Sequence, residues 1–473
     1  MTSTDAHDAL STPEERAPAA RTVGELRASG HRARGIREEI RANLLRHLAD
    51  GIDPWPGVHG FDRTVLPQAE RALLAGHDLV LLGERGQGKT RLLRSLPALL
   101  DEWTPVIADA ELGEHPYHPI TPESQRRAAE LGDALPISWR HRSERYSEKL
   151  ATPDTSVADL IGDIDPMKVA EGRHLGDPDT IHYGLVPRTH RGIMAINELP
   201  DLAERIQVSL LNVMEERDIQ VRGHLLRLPL DVLLVASANP EDYTNRGRII
   251  TPLKDRFGAE IRTHYPLDIA DEIAMINSEV DLVAEVPAPL VEVVARFVHL
   301  LREAEQVNQR SGVSARYSIT GVETVAAAAL HRATVLGEPE AVARPLDLTV
   351  ALPVLAGKIE WEAGYDDRAD ELVEHLLRRA VADTVRHRLD ATDLAPLVEA
   401  IEGGAVVVTG PEMSATEFLD ALPEHTVFTR IAELSDAHTT GSRASAIELA
   451  LEGLYLTRRI AKDLDEDGTT VYG

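Results

Sequence analysis

At 473 residues the chain is longer than one hydrophobic core organises, since single cores stop growing near ~250 to 300 residues, so two or three domains are expected. An apolar fraction of 43% can fill such cores, whereas the absence of Cys removes disulfides, thiolate metal sites and cysteine nucleophiles together. A formal charge of -28 repels polyanions and aromatics at 4% leave few stacking platforms, so both argue against nucleic acid as a partner.

The opening MTSTDAHDALSTPEERAPAA lacks the apolar core of a signal peptide, and with Pro13, Pro18 and no period it predicts a disordered tail over 1–20. No later stretch supplies the ~18 uncharged apolar residues a membrane span needs, so a cytoplasmic protein without membrane insertion is expected. A helical segment follows over 21–54. Within it Ile36, Ile40, Leu44, Leu45 and Leu48 recur at helix spacing until Pro54, Pro56 and Gly57 end the pattern. Its arginines, Arg27, Arg32, Arg34, Arg37, Arg41 and Arg46, alternate with Glu25, Glu38 and Glu39, which reads as a solvated face or an intersubunit surface before a DNA contact.

Residues 55–267 read as α/β. QAERALLAG is a helix stopped by Gly76, HDLVLLG a short buried strand, and KTRLLRSLPALL the helix after it. Further strands are predicted at 105–109, 192–196, 232–237 and 259–264, and strands alternating with helices imply a mainly parallel sheet covered on both faces. The stretch 111–189 reads as inserted loops with short helices. A small hairpin is predicted over 217–229, where Ile219, Val221, Leu226 and Leu228 flank Gly223. From 268 to 388 the pattern is helical, at 268–282, 289–308, 319–337 and 368–388. Residues 389–473 read as a small extra region with nothing catalytic in it.

Between the first strand and its helix lies GERGQGKT, 83–90, a complete G-x-x-x-x-G-K-[ST] loop. Glycines let backbone N–H groups of Gly83, Glu84, Arg85, Gly86, Gln87 and Gly88 wrap phosphates, Lys89 reaches the outer ones, and the Thr90 hydroxyl can hold magnesium. A tight turn with an exposed lysine is the alternative, but the strand before it and the helix after it favour nucleotide.

IMAINELPDL, 193–202, is an apolar strand breaking into Asn197 and Glu198. Glu198 can polarise an attacking water, or merely open a helix. Asn197 stands where a carboxylate would gather the magnesium shell; its amide can accept from a metal-bound water without bringing charge, or simply bond the strand tip. DVLLVASANP, 231–240, places Asn239 at another strand tip, where it can orient water or make a turn. In TPLKDRFG, 251–258, Arg256 either pairs with Asp255 or serves a neighbouring subunit as an arginine finger. SGVSAR, 311–316, puts Arg316 at a helix start, as an ordinary surface arginine or as a group closing over nucleotide.

The ordered set GERGQGKT, IMAINEL, ASANP, DRF and SGVSAR resembles the AAA+ superfamily, specifically the ATPase subunit of magnesium chelatase and MoxR-like ATPases, over roughly 55–365. The resemblance implies an α/β fold: an AAA+ P-loop domain with a parallel sheet and helical insertions, then a helical lid and a small C-terminal region. It implies ATP and Mg2+ as cofactors, bound between subunits of a homo-oligomeric, hexameric ring. Gly83, Gly88, Lys89 and Thr90 match Walker A, Asn197 and Glu198 Walker B, Asn239 sensor 1 and Arg316 sensor 2. Arg256 is the expected trans-acting finger, with Arg246 and Arg248 also in a loop that could face a neighbour. Relatives have aspartate where this chain has Asn197. LIGDIDPMKVAEGRHLGDPDTIHYGLV, 160–186, resembles the helix-2 insertion of this branch, and the 217–229 hairpin the one preceding sensor 1. Such rings work with partners such as von Willebrand A domain proteins. This chain shows no porphyrin signature, so remodelling or assembly of a protein partner ranks above metal insertion.

Two other patterns carry less. HPYHP, 115–119, spaces His115 and His118 for a metal, but its prolines predict an exposed loop; DLDEDG, 463–468, copies the start of a calcium loop and reads as an acidic tail. GERGQG has Arg85 where a dinucleotide loop needs glycine, which removes dehydrogenase chemistry. The leading function is ATP hydrolysis coupled to a partner. The alternatives are a nonhydrolytic nucleotide-gated scaffold and, behind it, a nucleic-acid-directed AAA+ machine.

Overall fold

Leu79–Leu82 (β1), Tyr146–Leu150 (β2), Gly192–Asn197 (β3), Val232–Ala238 (β4) and Ala259–Arg262 (β5) form one sheet in the order β5–β1–β4–β3–β2. Every neighbouring pair is parallel. β1, β3 and β4 are buried along their whole length because both faces of the sheet are covered. Alternation sorts their side chains. Val80, Leu82, Met194, Ile196, Leu234 and Ala236 join one core, while Leu79, Leu81, Ile193, Ala195, Leu233 and Val235 join the other.

The computed structural model describes residues 17–473 except 166, 168–169, 171–179, 217–218, 222–223, 227, 240–247, 309–311, 390, 424–425 and 466–467. The predicted tail lies almost wholly outside the described residues, as does the middle of the 160–186 insertion. The ends of that insertion, Gly162–Ile164 and Ile181–Tyr183, pair as an antiparallel hairpin. Ile219–Val221 and His224–Leu226 pair likewise, as the pattern around Gly223 predicts.

Three expectations for residues 21–189 are corrected. The helix Ile36–Asp50 buries Ile36, Ile40 and Leu44 but leaves Leu45 and Leu48 exposed. Polar residues occupy the rest of the buried stripe: Glu39 takes a bidentate pair from Arg145 at 2.6 and 2.7 Å, and Asn43 Nδ2 donates to Leu99 O at 3.0 Å. Nor are all the arginines merely solvated. Arg37 donates to Gly76 O at 2.9 Å and Asp78 at 2.6 Å, and Arg34 pairs with Asp101 at 2.6 Å.

The third correction concerns 111–189, which is not chiefly loops. Trp103–Ile107 and Ile137–His141 form an antiparallel hairpin, the helix Pro122–Leu131 is capped by Thr121, and β2 is a strand of the main sheet. Its sequence YSEKL is polar because it pairs on one side only, at the sheet edge.

The chain divides into two compact units, Met1–Glu84 with Gly88–His264, and Arg85–Gln87 with Tyr265–Gly473. In the second, the helices Ile269–Glu279, Ala288–Glu303, Ala315–Leu336 and Ala369–Arg388 fall where the periodicity places them. Pro345–Ala356 is a further helix, started by Pro345 in a position where a missing N–H costs nothing. Residues 389–473 do not pack apart: one hydrophobic core runs from Ile276 to Tyr472. Gly453 permits the close approach of Thr440–Leu456 to Ala369–Arg388, since a Cβ there would lie 2.6 Å from Val385 Cγ1. The fully buried Arg344 fastens the same region, donating to Glu448 at 2.8 and 2.5 Å and to Thr409 Oγ1 at 3.0 Å. Asp463 lies in the strand Lys462–Leu464, which pairs with Thr470–Tyr472, so the acidic stretch does not start as a tail; Glu466 and Asp467 lie outside the described residues.

Candidate functional site

Register brings the site together. Leu82 lies opposite Ala238 and Gly83 N donates to Ala238 O at 3.2 Å, so the loop leaves β1 beside the end of β4. β3 pairs with β4 on its other side, and the carboxyl ends of the three strands therefore share one edge, where open α/β sheets bind ligands.

Gly86 and Gly88 both take φ of 73°, a left-handed conformation that costs an L-residue with a Cβ roughly 1–2 kcal/mol. The loop can therefore turn its backbone inward. Gly88 precedes the helix Lys89–Ser95, in which Thr90 is half-buried; Gln87 is buried, Glu84 half-buried and Arg85 exposed. Lys89 is buried, and its Nζ donates to Gly83 O at 2.5 Å, Glu84 O at 2.6 Å and Asn239 Oδ1 at 2.8 Å. These acceptors match the three protons of an ammonium.

Asn239, also buried, uses its other end on Glu198: Nδ2 donates to Oε2 at 2.7 Å. The amide thus links the loop lysine to the carboxylate. Glu198 itself stands at φ 56° and ψ 46°, left-handed for a residue with a full side chain, and its N donates to Ser237 Oγ at 3.3 Å. Such backbone strain costs about 1 kcal/mol or more and clusters at functional sites.

Asn197 differs from expectation. It is buried, its Nδ2 donates to Glu148 Oε1 at 2.7 Å, and its Oδ1 accepts from Ser237 Oγ at 3.1 Å. The amide laces β2, β3 and β4 together. Glu148 also accepts from Arg94 Nε at 2.8 Å and Nη2 at 2.9 Å, and from Tyr146 OH at 3.1 Å. The Arg94 hydrogen bond foremost holds the Glu148 carboxyl below the usual range, so it is ionised. Burial foremost, then the Glu148 charge, raises the Tyr146 phenol. Glu148 and Arg94 escaped the sequence reading. Only Arg94 carried a signal, one helical turn after Thr90; Glu148 stands in a stretch read as loop and carried none.

The two remaining arginines lie elsewhere. Arg256 is exposed in the last turn of Thr251–Arg256 and pairs with Glu215, not Asp255, because Glu215 closes the adjacent helix Glu204–Glu216. Arg316 is exposed in the first turn of Ala315–Leu336, where its N donates to Ser314 Oγ at 3.1 Å. Arg248 is exposed; Arg246 and Pro240 lie outside the described residues.

His115 is buried rather than exposed on a loop, with its ring stacked on His31 and the two Nε2 atoms 3.1 Å apart. Its Nδ1 accepts from Tyr117 N at 3.0 Å, so the proton sits on Nε2, and burial foremost pushes its pKa down to about 2. Among the described residues no group of three or more His, Asp or Glu could hold a metal ion.

The profile of the Sigma-54 interaction domain matches residues 170–256. Over 211 residues the chain is 29% identical to the magnesium-chelatase 38 kDa subunit of Cereibacter sphaeroides, covering 42% of this chain and 54% of that protein. The chain resembles an AAA+ ATPase of the magnesium chelatase kind. Magnesium-chelatase subunit ChlI of Anabaena variabilis is similar at 29% over 209 residues, covering 43% of this chain and 58% of that one. These matches span little more than half the length of the curated relatives. A solved complex of the BchI and BchD subunits of magnesium chelatase aligns over 68% of this chain and 98% of that chain at 19% identity and a TM-score of 0.35. The fold assignment stands on the parallel sheet and its phosphate loop. No described helix is long and apolar enough to cross a membrane.

Proposed function

We propose that this AAA+-like chain hydrolyses ATP at the loop Gly83–Thr90, within a cytoplasmic homo-oligomeric and hexameric ring, and couples turnover to remodelling or assembly of a protein partner. The observation that carries it is the chain of contacts from Lys89 through Asn239 to Glu198. Phosphate oxygens are charged acceptors that compete with Gly83 O and Glu84 O for the lysine ammonium. Asn239 keeps the Glu198 carboxylate aimed at the mouth of the loop, where it polarises the attacking water. Left-handed Gly86 and Gly88 supply the cradle for the phosphates.

The donors suit magnesium, which prefers hard oxygens and is usually held through phosphates and one or two protein groups. The Thr90 hydroxyl and the Asn197 amide oxygen would hold it, directly or through water, while Glu198 is kept for the attacking water. When bound, the ion neutralises charge on the outer phosphates. Arg256 is our choice for the finger offered to a neighbouring subunit, exchanging Glu215 for phosphate, and Arg316 for the sensor of the helical unit. A von Willebrand A domain protein is the class of partner such rings take, in MoxR-like remodelling more than in metal insertion.

The test is ATP hydrolysis across protein concentration, paired with mass measurement. Specific activity rising on assembly, and falling on Arg256→Ala without loss of the assembly, supports the reading; full activity in the monomer contradicts the finger in trans. A second reading, a nonhydrolytic nucleotide-gated scaffold, is favoured by the engagement of Asn197 with Glu148 and Ser237. Nucleotide binding without phosphate release at high protein concentration, with the partner present, would select it.

A further inference from the structure

We infer that Glu148 supplies, from the neighbouring strand, the negative charge that Asn197 lacks, and positions the Asn197 amide at the metal side of the site. This rests on the reading of Gly83–Thr90 as a nucleotide loop. The strand end at Asn197 and Glu198 then has two carboxylates after all, Glu198 just past β3 and Glu148 on β2.

Geometry fixes the amide. Leu150 lies opposite Asn197, so Glu148 stands two residues earlier on the adjoining strand, close enough for Oε1 to accept from Nδ2 at 2.7 Å. A flipped amide would press its oxygen on a carboxylate, so Oδ1 must lie on the Ser237 side, as its 3.1 Å hydrogen bond requires. Asn197 is thus held in one orientation by a charge behind it.

Charge bookkeeping favours the inner side of the pair. Arg94 bonds both Glu148 oxygens, including the Oε1 that touches Asn197, but its side chain is 62% exposed against 20% for Glu148, so water reaches the guanidinium more than the carboxylate. Arg94 also follows Thr90 by four residues, one helical turn, and so ties the loop helix to β2 through Glu148. The residue pair is complementary. Aspartate at 197 would meet Glu148 in contact, where two carboxylates cannot both ionise. An amide at 197 with a carboxylate at 148 carries one charge in the same space.

The experiment measures the affinity of the full chain for a fluorescent ATP analogue with Mg2+ and with EDTA, in the wild type, Glu148→Gln and the swap Glu148→Gln/Asn197→Asp. Glutamine keeps the shape and an acceptor oxygen but removes the charge. The expected result is an EDTA affinity within about twofold of wild type and a Mg2+-dependent gain reduced about tenfold, the order seen when a group behind a metal ligand is changed. The swap returns the gain. A wild-type gain in Glu148→Gln overturns the inference, and so does a swap that fails to restore it; if Glu148→Gln melts early, the swap alone decides. Absence of binding by the wild type under both conditions would strike the nucleotide reading itself.

Discussion

Asn197, the last residue of β3, touches Glu148 in the middle of the adjacent parallel strand β2, amide nitrogen to carboxylate oxygen, 2.7 Å apart. The absence of a carboxylate at 197 therefore protects the sheet as well as altering the site. Asn197→Asp should lose about 2 kcal/mol of stability at neutral pH, one to two pKa units of repulsion, by urea unfolding. The added proton is bound by the folded state at a raised pKa, so the deficit shrinks as pH falls through that value and is fullest above it. Glu148→Gln in the same chain should remove it. An Asn197→Asp protein as stable as wild type from pH 5 to 8 would contradict the contact.

Glu198 holds a left-handed backbone that glycine adopts freely. Glu198→Gly should therefore hold or raise the unfolding free energy by about 1 kcal/mol while phosphate release collapses. Strain retained only for chemistry has this signature. A large loss of stability would instead make the side chain's bond to Asn239 a structural necessity.

Buried histidines should make the protein acid-sensitive. Burial foremost lowers the pKa of His115 to about 2 and of His190 to about 3, so both are neutral when folded. Below the ordinary value near 6.5 the unfolded chain takes up protons that the folded chain refuses, and stability falls with pH by about 1.4 kcal/mol per unit for each histidine. The loss begins near pH 6.5 and continues toward the folded values. His115→Gln should flatten the slope of unfolding free energy against pH between 6 and 5 by about one proton's worth; an unchanged slope would mean that His115 is protonated in the fold.

Glu448 and Arg344 bind residues 389–473 to the helices before them. Glu448→Ala leaves the Arg344 guanidinium buried without its carboxylate, a loss of roughly 3–5 kcal/mol. Calorimetry should show the transition of the second unit moving down. Ending the chain at 388 should also expose Ala369–Arg388 to proteolysis; a protected truncation would mean that the last region folds apart.

Much of this was legible in the chain because the signals were local. The β1, β3 and β4 runs are apolar from end to end, and the loop between β1 and its helix has a fixed spacing of glycines, lysine and threonine. Three features were hidden because they depend on what lies across space. The polar edge strand YSEKL has no alternation to mark it, and its Glu148 acquires meaning only from Asn197 and Arg94. Leu45 and Leu48 share helical spacing with the buried residues, yet Glu39 and Asn43 take the inner face because partners on other elements satisfy them. The region after 389 looks separate by composition but is joined through Gly453 and Arg344, contacts that no periodicity reports.

The most direct measurement is single-turnover phosphate release from ATP, with nucleotide occupancy read in the same sample, for wild type, Lys89→Ala and Glu198→Gln at a concentration that supports assembly. Wild type should bind and release phosphate, Glu198→Gln should bind and release it at least about 100-fold more slowly, and Lys89→Ala should do neither. Phosphate release at the wild-type rate from Glu198→Gln would contradict the account.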